Sequence, residues 1–121
     1  MNPINTAEFE HKRLGLQKEL DTTRTQAERN RMGQFATPLR LALDILDYAK
    51  SVLPEDKKVR FLDPAFGSGA FYSALHIVFP ADRIATATGF EIDSHYGEPA
   101  SSLWRSTGLN LRLWPSTRAP A

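Results

Sequence analysis

Hydrophobic positions follow two regimes along the chain. Residues 6–31 are polar, lack proline and are rich in helix formers. Phe9, Leu16, Leu20 and Ala27 trace a thin apolar stripe at near-helical spacing, weakened by Gly15 and the Thr22-Thr23 pair. The pattern predicts a solvated helical arm over residues 1–32 with a narrow docking seam. Arg24, Arg29 and Arg31 leave a phosphate-contacting arm as the alternative. The next helix is better marked. Thr37 can cap it through its hydroxyl, and Pro38 suits a first helical position, where no amide hydrogen is needed. Leu39, Ala42, Leu43, Ile45, Leu46, Ala49 and Val52 then form a broad apolar face, which Pro54 ends. Glu55 to Lys58 reads as a surface turn.

From Val59 the periodicity changes. Val59–Asp63 reads as a short strand, Pro64–Ser68 as a turn and Gly69–Phe79 as a helix stopped by Pro80. Ile84–Ile92 contains a second strand centred on Thr88–Glu91. A short helix around Ala100–Ser106 ends at Gly108, and Leu109–Leu113 alternates as a third strand. Strands and helices alternating at these spacings predict an α/β fold of parallel strands with right-handed crossovers, preceded by the N-terminal helices. Residues 33–113 form this α/β part, and 114–121, with two prolines and no periodicity, read as a tail.

Composition narrows the functional classes. The 121 residues carry 15 Lys plus Arg against 14 Asp plus Glu, a formal charge of +1 that offers no electrostatic case for nucleic acid. Without cysteine there is no disulfide framework, thiolate zinc site or cysteine nucleophile. Glu8, Glu10 and His11 stand where a signal peptide would be apolar, and no apolar run reaches membrane-spanning length. A soluble, cytoplasmic chain without membrane attachment is expected. His11, His76 and His95 have no metal-ligand spacing, and Trp104 is expected to pack the short helix on the sheet.

The candidate chemistry lies after the first strand. In an open α/β sheet, ligands bind beyond the carboxyl ends of the strands. Asp63-Pro64-Ala65-Phe66-Gly67-Ser68-Gly69-Ala70-Phe71 occupies that place. Gly67 and Gly69 permit positive φ and close backbone approach to a ligand, and the following helix presents free amides at its N-terminus. Asp63 is placed to receive an ammonium group or to order the loop. Glu91, at the end of the next strand, is placed to accept both hydroxyls of a ribose. Together they predict a nucleoside ligand with a polar, zwitterionic extension. A dinucleotide fingerprint fails because Tyr72 stands where a third glycine is needed, and a P-loop fails because no glycine precedes lysine.

These residues resemble the N-terminal part of an S-adenosylmethionine-dependent DNA adenine-N6 methyltransferase of restriction–modification type. Asp63–Phe71 is similar to that family's cofactor loop, Gly89–Asp93 to its ribose-binding strand end, and Gly33-Gln34-Phe35-Ala36-Thr37-Pro38 to the segment that closes over the methionine part. The likeness spans roughly residues 14–113 and implies a partial Rossmann-like sheet. It implies S-adenosyl-L-methionine as cofactor, with Thr37 and Pro38 on the methionine moiety. Asp63, Ala65, Gly67 and Gly69 would line the amino-acid and sulfonium portion, with Glu91 on the ribose and Ile92 against the adenine. Double-stranded DNA would be the substrate.

The family's base-positioning loop, Asn-Pro-Pro-aromatic, has no counterpart; Asn2-Pro3-Ile4 lacks the second proline and the aromatic. Trp114-Pro115-Ser116 replaces the acid usually found after the third strand. The expectation is therefore a truncated, cofactor-binding fragment, inactive alone, with no catalytic residue assigned. Its first strand would form an exposed edge that invites self-association or a partner chain. The alternatives are an RNA or protein methyltransferase fragment and a non-catalytic docking module.

Overall fold

A computed structural model describes residues 1–31 and 36–113. Helix α1 (Thr6–Thr22) opens at Asn5, whose side chain accepts the Glu8 amide at 3.0 Å. It ends because Thr22 and Thr23 turn their hydroxyls back onto the carbonyls of Glu19 and Leu20. Helix α2 (Gln26–Arg31) starts afresh from a reciprocal cap. The Glu28 amide donates to the Thr25 hydroxyl at 3.0 Å, and the Thr25 amide donates to the Glu28 carboxylate at 3.1 Å. The single arm expected over residues 6–31 is thus two helices.

Helix α3 (Leu39–Val52) begins after Pro38, which holds the N-cap position without a side-chain hydrogen bond. Thr37 therefore does not cap it, and Pro38 stands one place before the first helical residue. Strand β1 (Val59–Asp63), helix α4 (Ala70–Val78) and strand β2 (Ile84–Glu91) follow the predicted pattern, with a 3-10 turn (Ala81–Arg83) before β2. Helix α5 (Ser94–Leu103) starts six residues before the predicted short helix, capped by Asp93, whose side chain accepts the His95 amide. Gly97 and Pro99, residue types that disfavour a helix interior, lie inside it. A Cβ at Gly97 would collide with Leu113 of strand β3 (Asn110–Leu113), so this glycine lets α5 settle on the sheet.

The three strands are parallel in the order β1-β2-β3, and β1 is an edge of the sheet. Fold class is therefore α/β, compatible with a partial Rossmann-like sheet. Tyr72 and Leu75 of α4, Phe79 just after it, Trp104 after α5 and Ala42 and Leu46 of α3 form the core over one face. Phe61 contributes from that face of β1, while Leu62, pointing the other way, is 62% exposed. Trp104 does not simply seat α5 on the sheet. It stacks on Phe9 of α1 at 5.1 Å and meets the Tyr72 ring edge-on at 5.0 Å. No helix among the described residues is long and apolar enough to cross a membrane.

The arm buries part of its stripe, Leu20 fully and Phe9 and Leu16 by half. Ala27 is exposed, whereas Glu10 and Arg13 are buried beside Leu20. His76 is buried too, edge-on to Tyr72 at 4.7 Å, and its Nε2 has no partner among the described residues. Desolvation by burial, helped by the nearby terminal ammonium, lowers its pKa to about 4 from 6.5. Between these values the unfolded chain takes up a proton that the folded one refuses. The neutral ring's contribution is fully present above 6.5 and is lost as pH falls towards 4, at a cost of up to about 3 kcal/mol. Urea unfolding at pH 7, 5.5 and 4.5 should show this loss, and His76→Leu should flatten it.

Candidate functional site

The loop between β1 and α4 is built around one buried aromatic. Phe66 donates its amide to the Phe90 carbonyl at 2.9 Å, and its ring lies over Gly89, where a Cβ would strike it. This accounts for a glycine inside a strand. On either side of Ser68, Gly67 and Gly69 take φ of +60° and +100°. At Gly67 an added Cβ would meet open space, whereas at Gly69 it would lie 2.6 Å from Trp104 Nε1 and 2.9 Å from the Phe66 ring. Gly69 is the N-cap of α4, whose first-turn amides have no intrahelical acceptor.

Asp63 ends β1 beneath this loop. Its Oδ1 accepts the Ala65 amide at 3.0 Å, while Oδ2 is buried with no hydrogen-bond partner among the described residues. Desolvation raises its pKa above the usual carboxylate value, opposed by the Ala65 hydrogen bond and supported by the Glu91 charge. At the end of β2, Glu91 accepts the Gly67 amide at 2.7 Å through Oε1 and the Asp93 amide at 2.9 Å through Oε2. It is a strut between the loops that follow β1 and β2. Each carboxylate oxygen still has a second lone pair for a hydroxyl donor.

Helix α1 packs against α4 and α5, the helices that follow the two loops. Arg13 holds Glu10 through two bonds of 2.6 and 2.7 Å and reaches the Ser68 hydroxyl at 3.0 Å. Beyond the helix end, Arg24 grips the Asp93 carboxylate at 2.7 and 3.1 Å. Tyr96 donates to Asp21 at 2.8 Å; burial and this bond raise its pKa to about 12. The result is a cleft of about 550 Å³ between the loops. That volume is within the ordinary range of small-molecule sites.

No protein-family model matches the chain.

Of the residues singled out in the sequence, Thr37, Asp63, Ala65, Gly67, Glu91 and Ile92 line this cleft together. Pro38 and Gly69 are not part of its lining. For Gly69 the constraint is packing under Trp104. Of the segment 33–38, residues 33–35 lie outside the described residues, as do 114–121. Gln17 from α1, Phe71 from α4 and Tyr96 from α5 also line the cleft. Ser68 and the buried Glu10–Arg13 pair were also missed. An i,i+3 pair of opposite charge looks the same in sequence whether solvated or buried.

The cleft thus combines a buried carboxylate oxygen without a donor among the described residues, the amide end of a helix, and Ile92, an apolar side chain 71% exposed at its edge. This set suits a ligand carrying a cation at one end and a flat apolar group at the other. Among the described residues no group of three His, Cys, Asp or Glu side chains is placed to hold a metal ion.

Proposed function

We propose that the chain binds S-adenosylmethionine in this cleft, as the cofactor-binding part of a DNA adenine methyltransferase. The observation that carries the reading is Asp63, 8% exposed, with a carboxylate oxygen that has no donor among the described residues. A buried acceptor left unpaired is costly, and an amino-acid ammonium would supply both the missing hydrogen bond and the opposing charge.

The other residues fit the same ligand. Ile92 offers an apolar surface to an adenine ring, and the second lone pairs of Glu91 suit ribose hydroxyls. The open space at Gly67 lets backbone approach the sulfonium end, and Thr37 borders the cleft from the segment before α3. When bound, the cofactor supplies an electrophilic methyl group. The part of the protein is to hold its two ends apart and fix its orientation. Duplex DNA as methyl acceptor rests on the sequence resemblance, through the Gly33–Pro38 segment. The groups that would orient a flipped base have no counterpart in this sequence.

Isothermal titration with S-adenosylmethionine tests the proposal. One-to-one binding at micromolar concentration is expected, with no heat from ATP or NAD. Equal binding of the three, or none, removes the reading.

A further inference from the structure

The glycine loop has a mechanical weakness. Gly67 and Gly69 are the residue type with the most backbone freedom, so nothing intrinsic selects the left-handed pair that shapes the cleft. Besides the amide bonds of Gly67 to Glu91 and of Gly69 to the Phe66 carbonyl, the segment is held by Ser68 between them, which is 2% exposed. Its carbonyl accepts Trp104 Nε1 at 2.9 Å and its hydroxyl accepts Arg13 Nη1 at 3.0 Å. Arg13 is itself fixed, because Glu10 takes two of its donors and is anchored in turn by the Ser73 hydroxyl of α4 at 2.7 Å. The chain of bonds thus runs from α4 through α1 to the loop.

From this we infer that Arg13 is a positioning residue: α1 presents it, braced by Glu10, to pin Ser68 and hold the Gly67–Gly69 turn in its ligand-receiving shape. The planar guanidinium suits this task. Its fork engages a carboxylate with two donors while a third reaches a hydroxyl, which a lysine ammonium cannot do with the same rigidity. A pair 55 residues apart in sequence then decides how much of the ligand-free protein is competent to bind.

The effect on affinity rests on the function proposed above; the effect on the loop does not. The test compares two variants of the full chain. Glu10→Gln with Arg13→Met removes the tether as a near-isosteric neutral pair, avoiding a buried lone charge. Ser73→Ala removes a bond of the same network that does not touch the loop. Amide hydrogen exchange at Gly67 and Gly69 reports the turn, because these amides bond to Glu91 and to the Phe66 carbonyl. The β2–β3 ladder reports the fold.

In the double variant, exchange at Gly67 and Gly69 should be about tenfold faster than in Ser73→Ala, with the ladder equally protected in both. Affinity for S-adenosylmethionine should fall by about the same factor, as the competent fraction falls. Unchanged loop exchange with an intact ladder overturns the inference. Should the double variant fail to fold, Ser68→Ala leaves both charges paired and gives the same readings, and unchanged loop exchange in it is equally fatal. Faster loop exchange in a protein that never binds the cofactor would refute the proposed function and leave the role of Arg13 standing.

Discussion

Asp63→Asn should weaken S-adenosylmethionine binding about 100-fold, equivalent to about 2.7 kcal/mol. The same change should raise the melting temperature of the ligand-free protein. Both effects have one cause. The carboxylate is desolvated and lies near the Glu91 charge, which together raise its pKa. A folded-state pKa above the unfolded value means that the protonated form favours folding, and that this stability is lost as pH rises through the folded pKa. At neutral pH the ionised group therefore costs the empty protein stability. Asparagine keeps an acceptor for the Ala65 amide and discards the charge.

A cationic ligand reverses the balance, since it needs the ionised form. Affinity in the wild type should increase as pH rises through the Asp63 pKa, and Asp63→Asn should lose that dependence. Titrations at three pH values, with melting curves of the empty proteins, check both halves. A variant that binds as tightly as the wild type would remove Asp63 from the site.

Gly69→Ala should cost about 4 kcal/mol, from a left-handed backbone that alanine disfavours and from overpacking. The added methyl would lie 2.6 Å from Trp104 Nε1. The indole cannot retreat without giving up its 2.9 Å bond to the Ser68 carbonyl. At Gly67, by contrast, φ is +60° and the space around a Cβ is empty. Gly67→Ala should therefore cost only about 1 kcal/mol. For a chain of this length the first change lowers the melting temperature by more than about 10 °C and the second by a few degrees. Calorimetry showing equal losses would mean that the Trp104 contact does not set the requirement for glycine at 69.

What could be read from the sequence followed the range of the interactions involved. Strand β1 and helix α4 were legible because apolar runs and proline stops are local signals. The gathering of Asp63, Gly67 and Glu91 was legible because strand-end positions in a parallel sheet meet at one edge. Helix α5 was misplaced because Gly97 and Pro99 look like breakers. Only the approach of Leu113 explains why a glycine is needed inside that helix. The arm was misjudged for a similar reason. Its sparse apolar stripe suggested a loosely docked helix, whereas Glu10 and Arg13 find partners at Ser73 and Ser68, more than 50 residues away. The capping-box spacing of Thr25 and Glu28 is a local signal that marks the start of α2 in the sequence itself.

The one-sided sheet also settles where the molecule can be handled. Arg60 and Thr86 are neighbours in the β1–β2 pairing and are both exposed. They stand three and five residues upstream of the strand ends, roughly 10 Å or more from them. A dye or an immobilisation linker fixed at either position leaves the business end clear. The protein has a mounting side, and the cleft lies away from it.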